Sequence, residues 1–175
     1  MPTTTYEPIQ TYTISGTSTN YVDFTSIPST FTELKIVASI DSIGENDLCI
    51  QCNGDTTNYG YGGLSAYRTS STDNTVGFKS TSYQGALVDY YGTPTASGLG
   101  QHLVHVSIAD YTGSHWKIFY SKSHNFKSTA VSGVDTMVSV WKSNSAITSL
   151  RVIQASPLKY FTAGSKITLF GLKVA

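Results

Sequence analysis

Apolar and polar positions alternate along most of this chain with a period of two. In "TELKIVASI", Leu34, Ile36, Ala38 and Ile40 share one parity, while Glu33, Lys35, Val37 and Ser39 fall on the other. "QHLVHVSIADY" places Val104, Val106 and Ile108 inward, with Leu103, His105 and Ser107 on the opposite face. This is the pattern of strands with one buried and one wet face. "NYVDFTSI", ended by Pro28, predicts another strand, as does "DLCIQC", closed by the tight-turn dipeptide Asn53-Gly54. "HWKIFYSKS" pairs with "QHLVHVSIADY" as a hairpin that turns across "DYTGS" at Gly113. "DTMVSVWKS" and "AITSLRVIQ" follow, joined at "NS". Residues 58–82, rich in Gly, Tyr, Ser and Thr, read as loops around short strands. Nowhere do apolar residues persist at i, i+3, i+4 and i+7 for three turns, so no helix is predicted.

The two ends break the alternation in opposite ways. "FTAGSKITLFGLKVA" carries Ile167 and Leu169 on one parity and Phe170, Leu172 and Val174 on the other. A strand that is apolar on both faces is covered on both. This segment therefore predicts a central strand with Val174 inside, or one whose second face meets a neighbouring subunit. "MPTTTYEPIQ" has no period and reads as an extended arm over residues 1–10 that orders only against a partner. Some ten short strands with turn signals between them predict an all-β chain. The expected architecture is a single-domain β-sandwich over residues 11–175, jelly-roll-like, in which a late strand sits mid-sheet beside early ones.

Composition sharpens this picture. A chain of 175 residues and 18.9 kDa suits one domain with a sizeable core. Charged residues make up only 13%, the net charge is +0 and the pI about 6.9, so no footprint for nucleic acid or an anionic membrane is present. The opening residues have neither the basic start nor the apolar segment of a secretion signal, and no Asn-x-Ser/Thr sequon occurs. Synthesis in a cytoplasm without export is the expectation.

Candidate chemistry is sparse. Cys49 and Cys52 ("CIQC") with His102 and His105 ("HLVH") have the composition of a structural zinc site. Both pairs lie on predicted strands, however, where residues three apart point to opposite faces. They predict two free thiols, one buried and one not, and no metal or cofactor. No Gly-x-Ser-x-Gly elbow is present, and Asp23, Asp41, Asp47, Asp55, Asp89, Asp110 and Asp135 fall at predicted strand ends or turns, where Asp caps backbone N–H groups. The chain is not expected to be an enzyme. Tyr59, Tyr61, Tyr67, Tyr90, Tyr91 and Tyr111 lie in or near predicted loops. Of these, Tyr59, Tyr61 and Tyr67 are the candidate contact residues, since an exposed tyrosine offers flat apolar area with a polar tip to proteins or sugars. Trp116 and Trp141 are expected in the core.

The order of segments resembles that of small structural proteins of tailed bacteriophages. The resemblance is carried by Phe24, Ser26, Ile27, Pro28, Phe31 and Leu34, then by Asn53, Asp55, Asn58 and Tyr59, then by Asp110-Tyr111. It closes with Trp141, the run from Ala146 to Ser149, and Phe161, Gly164, Ser165, Phe170 and Gly171. It covers most of the chain from Thr11 and lapses over residues 69–97. What it implies is a virion protein assembled in the bacterial cytoplasm: a capsid decoration (cement) protein on the outside of the head, bound to the major capsid protein or other virion proteins, often as a homotrimer. The alternative it implies is a tail- or head-fibre module that binds a receptor or host-surface glycan. The arm, through Tyr6, Pro8 and Ile9, is then the expected docking element.

Overall fold

The structure is a computed structural model that describes residues 5–16, 19–43, 47–68, 72–90, 102–128, 131–158 and 160–173. Fourteen strands occur among these and no helix. The first seven are β1 (Thr5–Thr13), β2 (Tyr21–Phe24), β3 (Glu33–Ile40), β4 (Ser42–Ile43), β5 (Leu48–Cys52), β6 (Tyr59–Arg68) and β7 (Asp73–Tyr83). The rest are β8 (Ala86–Asp89), β9 (His102–Ala109), β10 (Lys117–Ser128), β11 (Val131–Trp141), β12 (Leu150–Gln154), β13 (Tyr160–Phe161) and β14 (Lys166–Lys173).

These strands form two antiparallel sheets stacked as a sandwich. The larger has the order β1-β14-β3-β9-β10-β11-β6-β7, the smaller β2-β12-β5-β8, and β4 with β13 makes a short ladder beside them. Without the hairpins β6–β7 and β10–β11, the orders become β1-β14-β3-β9 and β2-β12-β5-β8. Each four-stranded set mixes early and late strands, as a jelly-roll-like sandwich requires. The alternating residues close the core between the sheets. Leu34, Ile36, Ala38, Val104, Val106, Ile108, Ile167 and Leu169 from the large sheet meet Val22, Phe24, Ile50, Cys52, Val88, Leu150 and Val152 from the small one.

The added hairpins change what is covered. A second cluster of Cys49, Leu87 and Met137 gathers Tyr61, Phe78, Tyr83, Tyr90 and Ile153 against it. Cys49 and Leu87 lie on the opposite parity from Ile50 and Val88, so the large sheet curls round the β8 edge and covers part of the small sheet's outer face. Burial of β5 on both faces follows, and both cysteines are buried and free. The opposite-face expectation for the cysteines holds, but the expectation of one exposed thiol does not, because the outer face of β5 has its own cover.

Several further expectations are corrected. Residues 58–82 form mainly two long strands, β6 and β7, rather than loops around short ones; the glycines at 60, 62, 63 and 77 interrupt the apolar alternation that would have revealed them. Of "AITSLRVIQ" only Leu150–Gln154 is strand, and the junction at "NS" leads from the large sheet to the small one. Trp141 is buried, but Trp116 is 59% exposed. Lys117 points inward and its ammonium donates to the carbonyls of Gly113 (2.6 Å) and His115 (2.5 Å), which leaves the neighbouring Trp116 outside. β14 lies between β1 and β3, with Ile167 and Leu169 fully buried, whereas Phe170 and Leu172 on its second face are half-exposed. Val174 lies outside the described residues.

The arm is also corrected. Thr5–Thr13 pairs with β14 from Thr5↔Lys173 to Thr13↔Lys166, so a strand crosses the boundary expected at residue 10. The reason is packing. Ile9 and Tyr12 rest on the main core, and the Tyr12 hydroxyl donates to the Asp23 carbonyl of β2 at 2.6 Å. Pro8, which has no N–H to give, sits on this edge strand beside a bulge.

Candidate functional site

The candidate contact residues divide by strand parity. Tyr59 is fully buried; its hydroxyl accepts from the Cys52 N–H (2.7 Å) and donates to the Asp55 carbonyl (3.2 Å). Tyr61 points the same way and meets Tyr83 and Phe78 edge-on, with ring centroids 5.1 and 6.0 Å apart. Neither is a loop residue open to a partner, because an unbroken β6 carries both toward the small sheet. Tyr67, at the far end of β6, is half-buried and lines an open groove of about 670 Å³ with Arg68, Asp73, Leu103, His124 and Val134. From the N-terminal segment, Tyr6 and Pro8 are exposed and Ile9 is half-buried. Tyr6 lies beneath the Lys35 ammonium, 5.1 Å from its ring centre.

Exposed apolar side chains gather on the outer face of the large sheet. Ile118 (57% exposed), Tyr120 (43%), Val138 (49%), Val134 (46%) and Leu64 (61%) all point outward from β10, β11 and β6. Register sets them side by side: Tyr120 opposes Val138, Ile118 opposes Val140, and Thr136 opposes Leu64. Trp116 continues the row beyond the end of β10. Toward β3 and β9 the same face turns basic, where Lys122 opposes His105 and Lys35 lies two strands away. Partial burial, with Lys35 and His124 nearby, depresses the pKa of His105 below the ordinary imidazole value. Scattered exposed apolar residues are ordinary, whereas contiguous apolar patches are more often interaction sites.

A second constellation lies inside, where the curled sheet passes β8. Asp89 and His102 are fully buried, with His102 Nε2 3.1 Å from Asp89 Oδ1. Ser123 donates to Asp89 Oδ1 at 2.7 Å and reaches Asp135 Oδ2 at 3.3 Å. Asp135 Oδ2 also accepts from the Tyr90 N–H at 3.3 Å, and Ser139 donates to the Leu87 carbonyl at 2.6 Å. These side chains supply polar partners to the β8 strand and the turn beyond it.

Burial and the neighbouring Asp89 push the Asp135 pKa up to about 6. Burial would raise Asp89 as well, but facing His102 and the donors Asp135 and Ser123 outweigh it and hold Asp89 low. A Ser, a His and two Asp thus meet, at 0–2% exposure. Asp89 and Asp135 are not turn caps as expected. Their signal in the sequence is an inward parity, like that of Ser121, Ser123 and Ser139. Among the described residues, no group of three or more His, Cys, Asp or Glu side chains could hold a metal ion.

A smaller groove of about 240 Å³ opens on the uncovered part of the small sheet's outer face, lined by Asp23, Gln51, Gly54, Thr56 and Arg151 among others. Arg151 grips Asp23 through two hydrogen bonds, 2.7 and 2.8 Å, and stacks on Tyr21, 4.0 Å from its ring centre. No protein-family model matches the chain, and no curated protein sequence matches it.

Proposed function

We propose that this protein is a structural component of a tailed-bacteriophage virion, and in its sharpest form a decoration protein that binds the outside of the capsid and stabilises the shell. The observation that carries this reading is the apolar outer face of the large sheet, Ile118, Tyr120, Val134, Val138 and Leu64, set in a chain with unusually few charges. A covered β-face gives a partner broad apolar area, and the basic row of Lys35 and Lys122 beside it suits a partner with an acidic rim. Tyr6, bound beneath Lys35, joins the same face, so the N-terminal segment contributes as a docked strand rather than a free arm. The partner is the major capsid protein or another virion protein, met after synthesis in the bacterial cytoplasm.

The test is binding to particles that lack the protein. Purified chain added to such capsids is expected to co-sediment at a fixed number of copies per particle and to raise the temperature at which the shells release DNA. Absence of saturable binding, or binding without any gain in heat resistance, overturns the decoration reading.

The second reading is a receptor- or carbohydrate-binding fibre module. It is favoured by the groove at Asp23, Gln51 and Arg151, whose polar side chains beside Tyr21 suit sugar hydroxyls and a ring face. Saturable binding to host-surface glycans that is lost in Arg151→Ala supports it; a glycan panel without such signal removes it.

A further inference from the structure

The two edges of the large sheet are built differently. β1 carries Pro8 and a bulge, devices that keep an edge from pairing with another chain. β7 is eleven residues long, contains no proline, and pairs through β6 alone among the described strands. Its last part is engaged by its own molecule: Ser80 donates to the Ser82 carbonyl, and Lys142 to that of Thr81. That leaves Asp73 to Lys79 as a run of seven residues whose outer edge no described strand pairs.

The pattern on this run is self-complementary. Asp73, Thr75, Gly77 and Lys79 are exposed on the outer face, while Asn74, Val76 and Phe78 are half-buried on the inner face. Two copies of one strand that pair antiparallel about a two-fold axis keep inner and outer faces continuous only if the axis passes through a residue. An axis at Val76 sets Asp73 of one copy opposite Lys79 of the other, twice per dimer. It also sets Val76 against Val76 and Asn74 against Phe78. An axis at Gly77 or Phe78 brings neither charge opposite its complement, and an axis at Thr75 carries Lys79 beyond Asp73. Arg68, 3.6 Å from Asp73 within one copy, shares that carboxylate with the opposing lysine, so the cross-copy pair acts at an aspartate that already has one cation beside it.

The geometry points to a homodimer in which β7 pairs with β7 of a second copy about Val76, making one continuous sheet across both molecules. This goes beyond the virion reading and stands or falls without it. It replaces the three-fold association that the resemblance implies with a two-fold one. The interface lies on the edge, so the apolar outer face of each copy remains open on the same side of the joined sheet.

The experiment uses the purified full chain and sedimentation velocity across a range of concentrations. The wild type is expected to show a reversible monomer–dimer equilibrium. Asp73→Lys and Lys79→Asp each replace two attractive pairs by two repulsive ones, so each is expected to weaken the dimer by roughly tenfold or more. The double variant restores the pairs with reversed sign and is expected to return to near wild-type affinity. All the altered side chains are exposed, so folding is expected to be unaffected. A Val76→Cys variant is expected to form an intermolecular disulfide on mild oxidation. Asn74→Cys is not, because its counterpart lies four residues along the partner strand, roughly 13 Å away. A chain that stays monomeric, that sediments as a trimer, or whose dimer ignores both charge reversals overturns the proposal.

Discussion

Asp135 is held in the protein by contacts that favour its protonated form. It lies on β11 with its carboxyl against that of Asp89 on β8; Ser123 of β10, Tyr90 and Ser65 surround it, and His102 of β9 faces Asp89 from the other side. The folded state keeps the Asp135 proton up to about pH 6, whereas the ordinary carboxyl releases it near 3.8. Between those values the native state binds more protons than the unfolded chain, so stability falls as pH rises through the window. Asp47 acts in the same sense: burial pushes it up to about 6 despite the hydrogen bond from Tyr83. Asp135→Asn keeps an oxygen for Ser123 and the Tyr90 N–H, and gives Asp89 a permanent donor. It is expected to stabilise the protein at pH 7.5, on the order of 2 kcal/mol, and to flatten the fall between pH 4 and 7. Denaturant melts at several pH values measure this, and a variant less stable than wild type at pH 7.5 refutes it. Only its inward parity, shared with Met137 and Ser139, sets Asp135 apart from a turn aspartate in the sequence. Its role depends on β8, which lies more than 40 residues earlier in the chain.

At the scale of elements, the alternation in β3, β9 and the start of β10 was enough to place them, because each has one face on the core and one in water. The cover on the outer face of β5 and the length of β6 and β7 were not legible. Both arise from the curl of the large sheet, which is set by contacts between distant segments. The residues that carry the phage-like resemblance have a structural explanation. Asn53 accepts from the N–H groups of Thr148 and Ser149 and donates to the Ala146 carbonyl, at 2.8–3.1 Å. Asp55 accepts from the Trp141 indole at 2.8 Å, and the Tyr111 hydroxyl donates to the Pro28 carbonyl. The Ile147 N–H donates to the Tyr111 carbonyl, and that of Ile27 to Thr148. Phe31 lies over Gly171 so closely that any Cβ there would overlap its ring. These phrases bind the ends of strands to one another, so they mark a fold and not a ligand site. β1 follows a different rule: its signal was weak because only Ile9 and Tyr12 reach the core. Deleting residues 1–13 is nevertheless expected to cost about 3 kcal/mol, from lost ladder bonds and those two side chains. That is a fall in Tm of roughly 6–12 °C for a chain of this size. A thermal melt of the truncated chain that matches wild type would show that the segment is a loose arm after all.

For the whole molecule, the decisive property is a sandwich closed on the inside and unfinished on the outside. The net charge is +0 and the Ser–His–Asp cluster is buried, so the docking proposal rests on the surface rather than on long-range steering or the interior. The proposed docking surface is the outer face of the large sheet. If it docks on a particle, polar substitutions there must separate binding from folding. Ile118→Glu and Val138→Glu are suited to this, since both side chains are about half-exposed and neither lies on β7 or on β6, its partner strand. In the isolated protein each loses little packing, and Tm is expected to stay within about 2–3 °C of wild type, as surface substitutions usually cost under ~0.5–1 kcal/mol. On a particle, each would bury a carboxylate where the partner supplies apolar surface, and affinity is expected to fall at least tenfold, with larger loss in the double variant. The β7-mediated dimer should be unchanged, which keeps the two interfaces experimentally separate. Co-sedimentation of the variants with particles, beside their melting curves, reads both quantities. Equal loss of Tm and binding would mean that the face serves the fold, and undiminished binding would move the docking surface elsewhere.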